Sequence, residues 1–323
     1  MILFHDDVMK AQSAPDIALL KLRKFLDTNE PKLAKFLQVI WGNQQNAITY
    51  KELREAIMRG YLTEEMLDEW HKDYSRFVVD YVAPTWQAAM IEATTELERR
   101  YPTFSLDLSG EGVKQWTEQA SASFVTRVTT DQKLAIQTVV KRAALIKDMT
   151  VDELSRVIRP MVGLNYPQAV ANMNYYEKML ENGVNKRLAK ERCIRYSARQ
   201  SRYRGYMIAR TELAFAYNQG QHLGVQQAIS QGLMGHTRKV WCTADDERVC
   251  QVCGFLEGMT IEMDEDFQFD TKLKYPGIKK SPPAHPHCRC TALYVEVTPP
   301  NYAAWQPPTT TTAKSFSKIV YKR

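Results

Sequence analysis

The chain has no uninterrupted apolar stretch of the roughly 20 residues that a bilayer-spanning helix needs, so no membrane segment is expected. Its opening, MILFHDDVMKAQSAP, carries two early acids and lacks the basic leader and apolar run of a secretory signal. Residence in a reducing compartment is therefore the expectation. Cysteine is scarce, with six in 323 residues, and five of the six fall between positions 242 and 290. In a reducing compartment that crowding favours metal or free thiols over a disulfide framework. There is no Walker motif, no dinucleotide-binding glycine run, no GxSxG elbow and no HExxH helix. A His-x-Glu ahead of a Pro-Cys-x-x-Cys run, the zinc deaminase pattern, is missing too. These gaps leave no organised acid–base set, and a non-enzymatic role is expected.

What the chain does have is helical periodicity up to about residue 235. Leu19, Leu20, Leu22 and Leu26 line a first helix expected to end near Pro31, and Leu33, Phe36, Leu37, Ile40 and Trp41 line a second that Gly42 closes. Thr49 with Glu52, and Thr150 with Glu153, stand at capping-box spacing, where side chain and backbone satisfy each other's free amides. Gly60 is expected to end the helix after Thr49, and Thr63 to begin the next. Pro84 should interrupt the pattern through Tyr74, Phe77 and Tyr81, because it lacks a backbone donor. Residues 105–112 read as a connection. Separate helices are then expected around Val113 to Val128 and from Leu134 to Ile146, before a turn at Gly163.

The charge excess of +6 is small, but its placement is uneven. Between Lys186 and Arg210 lie Lys186, Arg187, Lys190, Arg192, Arg195, Arg199, Arg202, Arg204 and Arg210 against the single acid Glu191, with Tyr196, Tyr203 and Tyr206 interleaved. Lys186, Arg187, Lys190, Arg195, Arg199, Arg202 and Arg204 form the candidate phosphate-binding set, a stripe that would attract nucleic acid without reading its sequence. A solvated face, or an acidic protein partner, would use the same charge.

From Gly235 the texture changes to short strands and loops. Lys239 to Thr243 and Leu293 to Val297 read as strands. Between them stand Cys250-Gln-Val-Cys253 and the run Pro282-Pro-Ala-His-Pro-His-Cys-Arg-Cys290. Cys250, Cys253, His285, Cys288 and Cys290 are the candidate ligands of one structural zinc ion, which takes about four thiolate or imidazole donors. Cys250, Cys253 and Cys290 are the surest members, with His285 or Cys288 as the fourth. Cys242 is expected in the strand core instead. The apolar set of this lobe is small, and an ion would supply much of its folding free energy.

The expected fold is mainly α, a multi-helix body with a small C-terminal α+β or strand-and-loop lobe. Its expected parts are a helical region over 1–104, a helical core over 113–235, a Cys/His lobe over 236–297 and an extended proline–threonine tail over 298–323. Ile208-Ala-Arg-Thr-Glu212 with Asn218, then Trp241 to Cys253, then Pro282 to Cys290, closely resembles the phage head morphogenesis family typified by protein F of phage Mu. The resemblance covers roughly residues 135–297. It implies a minor head protein of a tailed bacteriophage, found in the virion head or procapsid and in the host cytoplasm during assembly. The implied partners are the portal protein, the major capsid or scaffolding protein, and double-stranded DNA bound without sequence specificity. Arg210, Glu212, Asn218 and Trp241 match its helical and strand signature. The alternatives are a zinc-stabilised, sequence-independent nucleic-acid binder and a metal-dependent hydrolase using Asp245 or Glu247.

Overall fold

The computed structural model describes residues 2–3, 14–145, 150–244, 246–269 and 277–297. The proline–threonine tail and Asp245 lie outside them. The described chain is mainly helical, with a small strand-and-loop lobe near its end. In order it runs β1 (Ile2–Leu3), α1 (Ala14–Ala47), α2 (Tyr50–Arg59), α3 (Glu64–Phe77), a π-helical turn (Val78–Val82) and α4 (Ala83–Arg100). Next come α5 (Glu111–Ala143), α6 (Val151–Ile158), a 3-10 turn (Arg159–Met161), α7 (Tyr166–Glu181) and α8 (Lys186–Ser230). The lobe holds β2 (Thr237–Cys242), α9 (Gln251–Leu256), β3 (Thr260–Glu262), β4 (Phe267–Phe269), β5 (Gly277–Lys279) and β6 (Thr291–Glu296).

Local signals behaved as chemistry requires. Thr49 and Thr150 cap α2 and α6 in full capping boxes, and Gly60 ends α2 in the left-handed region with φ 79°. The two expected proline breaks fared differently. α1 continues through Pro31 and Gly42, because Leu26, Leu33, Ala34, Leu37 and Trp41 are all buried along it, and that packing outweighs one lost backbone bond. At Pro84 the expected interruption is present, since α3 ends at Phe77 and α4 starts at Ala83. The chain widens just before it, with the Ala83 amide bonding the Val78 carbonyl five residues back. The two helices expected over 113–146 are one, α5, whose Val125, Val128, Ala135, Ile136 and Val139 form a continuous buried side.

Two compact units emerge, neither a single stretch of chain. One gathers the described residues of Met1–Leu26, Ala89–Asp107 and Ala214–Arg323, and the other those of Asp27–Ala88 and Leu108–Leu213. The second, helical unit buries Leu53, Ile57, Ile136, Val140, Val157, Ile158, Met173, Tyr176 and Cys193 in one core. Beside that core runs a polar chain. Trp41 Nε1 donates to Tyr74 Oη at 2.8 Å, Tyr74 Oη to Gln132 Oε1 at 2.5 Å, and Gln132 Nε2 to Gln44 Oε1 at 3.1 Å. Gly163, at φ 93°, passes so close to Trp41 that a Cβ would meet its ring at 2.5 Å.

The first unit is built on a four-stranded sheet ordered β1-β6-β2-β3. β2 and β6 pair antiparallel from Thr237↔Glu296 to Cys242↔Thr291, while β1 joins β6 in parallel at Tyr294 and Val295. Val240, Cys242, Leu293 and Val295 pack with Ala14 and Ala18 of α1. Ala292 and Tyr294 pack with Val225 and Ala228 of α8. With both faces covered, β2 and β6 are buried almost throughout; the centre of β6 is apolar, whereas β2 also buries Thr237 and Lys239, the latter donating to the Lys280 carbonyl. α8 reaches this unit closely at Gly220, where a Cβ would stand 2.4 Å from the Met90 backbone.

Candidate metal centre and basic face

The short helix α9 begins at Cys250, whose Sγ accepts the Cys253 amide at 3.4 Å. This knuckle turns both thiols the same way. The other arm turns at His285, whose carbonyl accepts the Cys288 amide at 3.1 Å. Two contacts hold the arms in place. Arg289 donates to both oxygens of Asp246, at 2.6 and 2.5 Å, tying the Cys288–Cys290 segment to the loop before Cys250. That guanidinium holds the Asp246 carboxyl down at about 2. Asn218 of α8 accepts the Ala292 amide at 3.1 Å and the Thr291 hydroxyl at 3.0 Å, anchoring the residues that follow Cys290.

The donors converge. Cys250 Sγ and Cys253 Sγ lie 3.0 and 3.2 Å from His285 Nε2, and Cys253 Sγ lies 3.6 Å from Cys288 Sγ. Two triads of donor atoms result, Cys250–Cys253–His285 and Cys253–Cys288–Cys290, and both contain Cys253. His285 Nδ1 stands 2.7 Å from the Pro286 carbonyl, a contact that requires a proton on Nδ1 and leaves the Nε2 lone pair facing the sulfurs. The Cys288 thiolate is favoured because the Cys253 thiol donates to it, and the Cys253 pKa is raised because its proton is held in that bond. A second thiolate beside the first needs a cation to offset their repulsion. The donor set therefore fits a metal ion.

The remaining cysteines are of another kind. Cys242 and Cys193 are buried, and burial pushes each thiol up to about 12. Cys242 sits in the β2 strand core, as expected, and Cys193 lies in the helical core. His287 adopts φ 61°, a left-handed position between the candidate ligands. The Cys290 thiol, in the same apolar cluster as Trp241, Cys253 and Cys288, is pushed up overall: Cys253 pulls it down, but the neighbouring Cys288 and burial outweigh that and the weaker pull of the Trp241 indole. Of the two acids considered for hydrolysis, Glu247 is exposed and Asp245 lies outside the described residues, while the neighbouring Asp246 is bound to Arg289.

Glu212 and Arg210 each form an ion pair within the helical unit. Glu212, its side chain 6 % exposed, pairs with Arg127 of α5, and burial raises its carboxyl pKa against the pull of that arginine. Arg210 Nε lies 3.2 Å from Glu30 of α1.

The structure sorts the basic set into different environments. Arg204 is 1 % exposed, donates to the Gly163 carbonyl at 2.6 Å, and pairs with Asp131 at 3.3 Å. It belongs to the interior rather than to a phosphate-facing stripe. Arg187 pairs with Glu191 at 3.3 Å, and Lys186 and Lys190 lie close enough to Glu153 to lower its pKa, below the stronger effect of its own capping bond to Thr150. Arg195, Arg199 and Arg202 remain exposed on α8, joined by Arg192, which the candidate set had left out. Spacing held that signal, since Arg192, Arg195, Arg199 and Arg202 recur every three or four residues. Asn218 and the Arg289–Asp246 clamp gave less warning, because their roles depend on partners 43 or more residues away.

No helix among the described residues is long and apolar enough to cross a membrane. No curated protein and no solved structure matches the chain. Residues 136–293, just under half of the chain, match the family model described as Phage Mu protein F like protein, a span that includes Glu212, Asn218, Trp241 and every candidate metal ligand.

Proposed function

We propose that this is a minor head protein of a tailed bacteriophage, acting in head morphogenesis at the portal vertex or the head interior by binding rather than turnover. The observation that carries the proposal is the match over residues 136–293, which takes in both the charge-tied helix and the Cys/His cluster. Portal protein is the principal partner, with major capsid or scaffolding protein alongside it. Packaged double-stranded DNA meets the exposed arginines of α8 through its phosphates.

Within this reading the cluster holds zinc. Cys250, Cys253, His285, Cys288 and Cys290 offer five donors for one ion, which, when bound, supplies a fixed crosslink between the α9 knuckle and the segment leading into β6. Arg289, Asp246 and Asn218 orient that segment, and Trp241 shields the sulfurs from water. The result is a firmly crosslinked Cys/His region suited to docking. The test is mass spectrometry and crosslinking of intact virions and procapsids. Low-copy presence with crosslinks to the portal is the expected result, and absence from both particles would remove the head-protein reading.

A further inference from the structure

The outward side of α8 carries aromatic rings as well as charge. At 3.6 residues per turn, Arg192, Tyr196, Arg199, Tyr203 and Tyr206 fall near one line of the helix, with Arg195 and Arg202 flanking it. Together they occupy about a third of the circumference over roughly 20 Å of length. The four arginines are exposed and make no ion pair among the described residues. Tyr203 is 59 % exposed and Tyr206 43 %, and Tyr175 of α7, 39 % exposed, meets Tyr196 edge-on at 5.2 Å. Arg199 lies 5.2 Å from the Tyr196 ring centre, which holds its guanidinium on this face.

Arginines neutralise phosphate whether the strand is paired or not. Rings standing in solvent add affinity only where bases are unstacked and have a free π-face to offer. Tyr61 and Tyr81 of the same unit are exposed to a similar degree, but Tyr203 and Tyr206 stand in line with exposed arginines. We infer that this face binds single-stranded nucleic acid in preference to duplex. The arginines hold successive phosphates and Tyr203 and Tyr206 stack on bases. The inference rests on the phosphate contact proposed for the same helix, and makes a single strand its preferred ligand over the packaged duplex.

The test is fluorescence anisotropy of the full-length protein with labelled oligo-dT and with a duplex of equal length, over a range of salt. Oligo-dT should bind about tenfold tighter or better. The double variant Tyr203→Ala/Tyr206→Ala should erase that preference and leave duplex affinity within about twofold, while Tyr203→Phe/Tyr206→Phe retains it. Neutralising Arg195, Arg199 and Arg202 to Gln should weaken both ligands and reduce the duplex salt slope by about 2 to 3. Equal or tighter duplex binding, or a preference indifferent to the alanine variant, would overturn the single-strand inference and leave the phosphate contact standing. Failure of both ligands to bind at low salt would overturn the inference and the proposed DNA contact together.

Discussion

Cys193 and Cys253 are both buried cysteines, yet they do opposite things. Cys193 lies among Leu154, Val157, Met173 and Tyr176, where its thiol is one more apolar surface and burial keeps it protonated. Cys253 lies against two other donors at 3.2 and 3.6 Å, in a smaller apolar cluster with Trp241, Leu256 and Phe267. The helical unit is held by apolar packing, helix caps and buried charge pairs. The Cys/His lobe has short strands, a clamp and a set of convergent donors. Burial alone does not make a ligand; convergence of donors does.

The largest expected effect separates the two regions. Cys253→Ser removes the donor shared by both triads, and structural zinc sites contribute on the order of 10 kcal/mol to folding. Hydrogen exchange should show β2 and β6 losing protection while α5 and α6 keep theirs. By contrast, Cys193→Ala should cost only about 1 to 2 kcal/mol, seen as a shifted denaturation midpoint. Comparable losses from the two variants would break the comparison.

Next in size is a pH effect in the sheet-bearing unit. His222 packs beside Tyr294, and burial first, then the charges of Lys239 and Lys280, lower its pKa from 6.5 to about 3. Lys239 itself is brought down to about 8 by burial. A depressed histidine is neutral when folded and takes up a proton when unfolded. Its stability contribution is complete above the unfolded value and is lost as pH falls toward the folded one. His222→Gln should therefore flatten the decline of stability between about pH 6.5 and 3, by up to about 4 kcal/mol. Loss of metal in acid affects both proteins alike, so the difference between their urea-denaturation curves isolates the histidine. Parallel curves would contradict this burial.

Smaller again is the tie through Glu212. Arg127→Met leaves a buried carboxylate without its partner and should cost about 2 to 3 kcal/mol, the lower part of the range because Arg127 is half-exposed. Adding Glu212→Met should recover most of that loss in thermal melts. Smallest is Thr150→Ala, which opens a capping box and should cost about 1 kcal/mol by the same measurement.

Much of this was legible in the sequence, and the reasons differ by residue. Thr49 and Thr150 could be read as caps because partners three residues apart decide that geometry. The Cys250–Cys253 knuckle was legible for the same reason, and the later cysteines and histidine supplied a matching donor set. Pro31 misled because a local rule competes there with burial along the rest of the helix, which one segment does not reveal. Arg204 misled similarly, since its partners Asp131 and Gly163 are brought to it by the fold. The compact units were hidden from a linear pass, as each joins separated segments of chain.

The most direct test of a ligand-held lobe is metal analysis of the purified full-length protein, with hydrogen exchange before and after chelation. One zinc ion per chain, with protection of β2 and β6 lost on chelation and that of α5 retained, is the predicted result. A metal-free protein whose strands remain protected would contradict it and return the five donors to the status of packed thiols and an ordinary histidine.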